Sequence, residues 1–466
     1  MLENLQPKRV FAIFEEICAI PHGSGNTRAI SEYCLQFAKK LGLWHATDEW
    51  HNVMIKKPAT AGYEDRSPVL LQGHLDMVCE KERAFDFETE GLELRVDGDF
   101  VFANGTTLGG DDGIAVAMIL AILEDGSLPH PPIEALFTTD EETGMYGATG
   151  LDPTGLSATR LINIDSEDEG VFTVGCAGGA RAEIDLPMTR TSNSLPCYRV
   201  TVDGLIGGHS GTEINKGRLN ANRVMGRVLS FVGPLQLISL EGGSKDNAIP
   251  RSCVATVAAA KDPALRLPLV LGAVKSEHDP DLKVTIEPIG SCPFAYDRLS
   301  TGIALSLLQT LPNGVQSRNP DLPELVQTSL NLGTARTTED VMHLSFSVRS
   351  SVNEEKEQLL ARMERIAGEH GAALSTHGHY PAWEYKKESP LRECMVETYR
   401  RQYGVDPEIV TIHAGLECGI LCDKMPGLDA VSIGPNLYDV HTTRERLSIS
   451  SVERTYRYLQ LVLSKL

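Results

Sequence analysis

Gly105-Thr106-Thr107-Leu108-Gly109-Gly110-Asp111-Asp112-Gly113, followed at once by the apolar run 114–123, is the stretch on which the reading of this 466-residue chain turns. A glycine-rich turn that leads into a run without a polar residue predicts a helix buried on every side. Two adjacent carboxylates at the mouth of such a helix repel each other. They are costly to bury unless a cation, or the positive end of a helix, meets them. Asp is also a favoured N-cap residue and Gly a common turn residue, so capping accounts for the pair when it is taken alone. Similar groups at the ends of other apolar runs would favour the cation.

Such groups are present. Residues 68–72 (Pro-Val-Leu-Leu-Gln) read as a buried strand running into Gly73-His74-Leu75-Asp76. On an extended chain His74 and Asp76 share a face. The strand pattern 133–137 ends in Thr138-Thr139-Asp140-Glu141-Glu142-Thr143-Gly144, and 161–164 ends in Asp165-Ser166-Glu167. In an open α/β sheet, ligands bind in the crevice outside the carboxyl ends of the strands, where these residues collect. Hard divalent ions take carboxylate and imidazole ligands, and zinc accepts both. Hydrolases with paired ions hold them roughly 3.5–4 Å apart, a spacing that a bridging carboxylate suits. The available set is His74, Asp111, Glu142, Asp165 and a late histidine, His441. Asp76 is placed to receive the far N–H of His74. Glu141, beside a ligand, can take a proton from water.

The chain is too long for one ordinary core, and its texture changes twice. Residues 1–186 read as helices alternating with buried strands. From 187 to 382, alternating strand patterns interleave with helices, which predicts an inserted α+β domain with an antiparallel sheet and helices on one face. Residues 383–466 return to the first texture. The expected fold class is thus α/β, a mixed sheet with helices on both faces, carrying an α+β insert. The net charge of -20, from 63 acidic and 43 basic residues, argues against nucleic acid or an anionic membrane as partner. No apolar run reaches the length of a membrane span, and residues 1–8 lack the features of a signal peptide. The ten scattered cysteines are expected to be reduced, in a cytoplasmic protein.

Five stretches, 73–76, 108–113, 139–142, 163–167 and Gly207-Gly208-His209-Ser210-Gly211, come in an order that resembles the M20 metallopeptidases. The resemblance spans nearly the whole chain. It implies two divalent ions, Zn2+ with Mn2+ or Co2+ also fitting, bridged by Asp111. His74 and Asp165 would hold one ion, and Glu142 and His441 the other. It further implies Glu141 as general base, a cis Asp111–Asp112 peptide, and an insert acting as a lid. In that lid His209 would stabilise the oxyanion, while Asn247 and Arg349 would hold the transition state and the terminal carboxylate of the substrate. The implied substrates are small peptides, dipeptides of the Xaa-His type or a broader set. Another M20-type amidase, a tripeptidase or an N-acyl amino acid deacylase, is the alternative within enzymes. A non-catalytic protein keeping the fold is the alternative outside them. His413 and Glu417, four residues apart, read either as a helix-face pair or as lining of the substrate pocket. A homodimer, with the lid histidine acting across subunits, and a doubled lid acting in cis both stay open. After His441 the chain reads Thr442-Thr443, where the family usually has Ser-Pro.

Overall fold

The apolar run forms the helix Gly110–Glu124, in which every residue from Gly113 to Leu123 is buried. Isoleucine is an indifferent helix former, costing a few tenths of a kcal/mol against alanine. Burying each such side chain contributes about 1.5–3 kcal/mol, so packing decides. The helix lies against the amphipathic helix Lys8–Cys18 and the strand Val69–His74. Its approach to that strand requires Gly73: a Cβ there would fall 2.5 Å from Asp112 Oδ2 and 3.0 Å from the Ala115 Cβ.

The computed structural model describes residues 1–320 and 323–466. They divide into two units, Met1–Gly175 with Tyr385–Thr411 and Leu416–Leu466, and Cys176–Glu384 with Ile412–Gly415. In the first unit an eight-stranded sheet runs in the order Trp44–Thr47, Val53–Lys57, Ile133–Thr138, Val69–His74, Arg160–Asn163, Asp429–Ser432, Val171–Cys176 and Glu408–Ile412. Val69–His74 lies parallel to both Ile133–Thr138 and Arg160–Asn163, and Asp429–Ser432 is parallel to Arg160–Asn163. These four strands therefore end at one edge of the sheet. Both outer pairings at the Trp44 side are antiparallel, so the sheet is mixed.

The second unit is built on a nine-stranded sheet whose pairings are antiparallel. Alternate residues such as Val200, Val202, Ala255, Leu330, Leu332, Leu344 and Phe346 form a core with the helices Ala221–Phe231, Arg298–Thr310 and Asn353–Glu369. The second unit begins at Cys176. The strand Gly178–Pro187 already pairs with Val341–Ser350 and Ala373–Tyr380 of this sheet. Among the described residues, no helix is long and apolar enough to cross a membrane.

Candidate active site

At the shared strand edge of the first unit, each candidate side chain leaves a strand end or a turn. His74 is the last residue of its strand and is 1% exposed. Asp165 follows Arg160–Asn163 by two residues. Asp111 leaves the turn at Gly109, whose φ of 64° is left-handed and suits glycine. The Asp111–Asp112 peptide is cis. Glu141 and Glu142 follow Ile133–Thr138, and their backbone N–H groups donate to Asp76 Oδ1 at 3.0 Å and Oδ2 at 3.3 Å. The Asp76 carboxylate also accepts from Ser24 Oγ at 2.7 Å.

The distances divide around Asp111. Its Oδ1 lies 3.2 Å from His74 Nε2, which is in turn 3.7 Å from Asp165 Oδ1. Its Oδ2 lies 3.2 Å from His441 Nε2, which is 2.9 Å from Glu142 Oε1. One carboxylate thus presents one oxygen to each of two groups. Among the described residues, two sets of side chains have donor atoms close enough to share an ion, His74 with Asp111 and Glu142, and His74 with Asp112 and Asp165. Asp112 is buried, and its Oδ2 accepts the His74 backbone N–H at 3.2 Å. It is therefore committed to the strand, and Asp111 is the carboxylate that faces the other side chains.

Electrostatically the cluster holds more acidic groups than imidazoles. Burial pushes the Asp112 and Asp165 carboxyls well up. Glu141 rises to about 8 through burial, which the pull of His74 does not offset and which Glu417 and Glu142 reinforce. Hydrogen bonds to Asp111 and Glu142 raise His441 to about 10. Burial alone would lower His74, but its bonds to Asp111 and Asp76 outweigh that and lift it well above the usual imidazole range. Carboxylates outnumber imidazoles here, in a pocket of oxygen and nitrogen donors. Divalent cations of the zinc or manganese kind fit that donor set.

The second unit gathers another group. Gly208–His209 pairs with Ala248–Ile249, and Ser210 N donates to Asn247 O at 2.9 Å. A Cβ on Gly211 would meet His413 O at 2.6 Å, His209 Cε1 at 3.0 Å and Arg349 Nε at 3.2 Å, so these three residues converge there. Arg349 Nη1 donates to Tyr380 Oη at 2.9 Å, and its buried Nε has no hydrogen-bond partner. His413 Nε2 lies 2.7 Å from Ser329 Oγ, while Nδ1 has no hydrogen-bond partner. Burial, then the charge of Arg349, lowers His413 to about 4.

The reading of His413 and Glu417 needs correction. His413 and Glu417 do not share a helix face, because the helix Glu417–Lys424 begins at Glu417. Nor does Glu417 line an open pocket. It is 0% exposed and accepts from Gln72 Nε2 and Thr138 Oγ1, both at 2.6 Å. On the far side of His74, Nδ1 meets the backbone oxygen of Asp76 at 2.9 Å and its Oδ1 at 3.5 Å, and the same carboxylate holds the Glu141–Glu142 turn. Sequence reasoning missed Tyr380, Ser329 and Glu445. Glu445 accepts backbone N–H groups of the Asp111 turn, and only its place four residues after His441 hinted at a role.

A carboxylate and imidazole cluster at the carboxyl edge of a mixed sheet is the arrangement of a metal-dependent hydrolase. The chain belongs to the peptidase family M20/M25/M40, which it matches over residues 70–465. It is 37% identical over 480 residues to the cytosol non-specific dipeptidase of Escherichia coli, covering 100% of this chain and 99% of that protein. Among solved structures it superposes on the aminoacylhistidine dipeptidase of Vibrio alginolyticus with a TM-score of 0.93 at 33% identity, covering 100% and 98% of the two chains. A likeness in fold alone extends to the aminopeptidase PepT of Bacillus cereus, with a TM-score of 0.59 at 15% identity, covering 99% of each chain.

Proposed function

We propose that this chain is a metal-dependent dipeptidase that hydrolyses small peptides, Xaa-His dipeptides among them, in the cytoplasm. The observation that carries the reading is the division of the Asp111 oxygens between the His74–Asp165 and His441–Glu142 groups. Full-length identity to a dipeptidase supports the substrate class. His74 and Asp165 would hold one ion, Glu142 and His441 the other, and Asp111 both. Bound there, two ions supply a lowered pKa for water and polarisation of the scissile carbonyl.

The residues of the chain do the rest. Glu141 takes the proton of the attacking water and returns it to the leaving amine. Its carboxyl, held at about 8 by burial, drops toward the working range once positive charge stands beside it. The Asp76 carboxylate fixes where Glu141 points, through its backbone N–H. The family resemblance gives His209 and Asn247 the part of stabilising the developing oxyanion. Arg349 offers a guanidinium to the substrate carboxylate. Pairing into a homodimer belongs to the same reading and is read by light scattering on the purified chain.

The test is hydrolysis of β-alanyl-histidine and leucyl-glycine by protein stripped with chelator and reloaded with Zn2+, Mn2+ or Co2+, beside Glu141→Gln. Cleavage that returns with metal and is absent in the variant supports the reading, and the ratio of the two rates reads the preference for histidine. Two ions bound without cleavage of either dipeptide would overturn it. Tripeptides and acyl amino acids in the same panel test the other amidase chemistries.

A further inference from the structure

We propose that Glu445 is a positioning residue that sets the metal affinity of the site, by registering the segment carrying His441 against the turn carrying Asp111. The inference rests on the reading of Asp111 and His441 as ligands.

Glu445 is 3% exposed, and its carboxylate is enclosed by four successive backbone donors. Oε2 accepts the N–H of Leu108 at 2.8 Å and of Gly109 at 3.2 Å; Oε1 accepts that of Gly110 at 2.8 Å and of Asp111 at 3.4 Å. Backbone N–H groups at a helix start lack partners within the helix, and water or a local cap normally satisfies them. Here the acceptor comes from 334 residues further along the chain. A water would satisfy the same donors without tying the turn to anything. Glu445 satisfies them and fixes the distance between two ligand segments.

The segment around His441 is tied down at its two ends, where Leu437-Tyr438 pairs with Arg446-Leu447 and Arg446 bonds Asp439, while Glu445 is its link to the Asp111 turn. Between those ends His441 has a φ of 62° and a side chain 48% exposed, and its Nε2 meets Asp111 and Glu142. Glu445 lies four residues on and is linked back through its own N–H to Thr442 O at 3.1 Å, while Thr442 Oγ1 donates to Asp439 O at 2.7 Å. The contact with the turn is tight on both sides. A Cβ on Gly110 would meet Leu437 Cδ2 at 2.7 Å and Glu445 Oε1 at 3.3 Å. Ligands must be held to within about 0.5 Å of their working geometry, and residues that orient them typically carry a 10–100-fold effect on metal affinity.

Glu445→Gln keeps the shape but offers one acceptor oxygen, and sets its NH2 against two of the four N–H donors. The experiment titrates Zn2+ into metal-free wild-type and Glu445→Gln protein in competition with a chromophoric chelator, with amide hydrogen exchange of residues 108–111 alongside. One of the two ions is expected to bind about 10–100-fold more weakly in the variant. Exchange at 108–111 should quicken while the rest of the protein keeps its protection. At saturating metal, kcat should return with KM unchanged. Equal zinc affinity for both ions would overturn the proposal, as would a loss of protection spread through the whole first unit. Should Glu445→Gln not fold, Glu445→Asp, which keeps the charge one methylene short, is held to the same zinc criterion. Because the readout is metal affinity, failure of the dipeptidase reading would show as absent cleavage with the zinc difference intact.

Discussion

His441 and Glu141, like His74 and Asp165, are residues whose protonation the site has to overcome. The bonds of His441 to Asp111 and Glu142 raise it to about 10, above the roughly 6.5 of a free imidazole. In metal-free protein the stabilisation from that pairing is complete below pH 6.5 and is lost as pH rises through 10. An ion has to displace the proton, so affinity for Zn2+ should rise with pH across this interval, with protons released on binding. Calorimetry at pH 7.5 in two buffers of different ionisation enthalpy reads that release, and none released would refute the prediction. Glu141→Gln should leave both ions bound, measured by elemental analysis, while kcat falls by about 10²–10⁴. Asp76→Ala removes the acceptor of the Glu141 and Glu142 N–H groups. It should lower kcat or metal affinity by roughly 10–100-fold while removing no ligand side chain. Full activity at trace metal would argue against it.

Among elements, the buried helix and the parallel strands decide where the ligands stand. Ile119 is fully buried, and Ile119→Ala should cost about 2–5 kcal/mol in denaturant unfolding of metal-free protein. A loss below 1 kcal/mol would mean that the helix is packed less tightly than its burial implies. These elements were legible in the sequence because apolar runs ending in His, Asp or Glu are a local pattern, read within ten residues. Glu417 was misread because a spacing of four from His413 means a shared face only inside one helix, and the helix begins at Glu417 itself. Glu445 was not legible, since its partners are backbone groups more than three hundred residues away. The strand from Gly178 escaped notice because Gly178-Gly179-Ala180 has no β-branched or aromatic residue to announce it. Tyr380 and Ser329 gain meaning only from strand register, which places Ser329 opposite Arg349.

At the scale of the whole molecule, metal and fold are linked by mass action. An ion bound by the native first unit and not by the unfolded chain stabilises it by about 2.7 kcal/mol at a hundredfold excess over Kd. Chelator should therefore lower the thermal midpoint and added Zn2+ restore it, with Glu445→Gln needing more zinc for the same recovery. A midpoint indifferent to metal would contradict the site. Length and texture suggested an insert, whereas the placing of residues 412–415 with the second unit is a matter of tertiary contact that no window of sequence carries.

The Asp111 cluster draws on positions from 74 to 445. A ribosome must therefore have released the chain through residue 445 before the cluster can assemble. Until then the growing polypeptide is a silent precursor, unable to cut the peptides around it. Permuted or split versions should regain cutting only when the piece holding 441–445 is supplied.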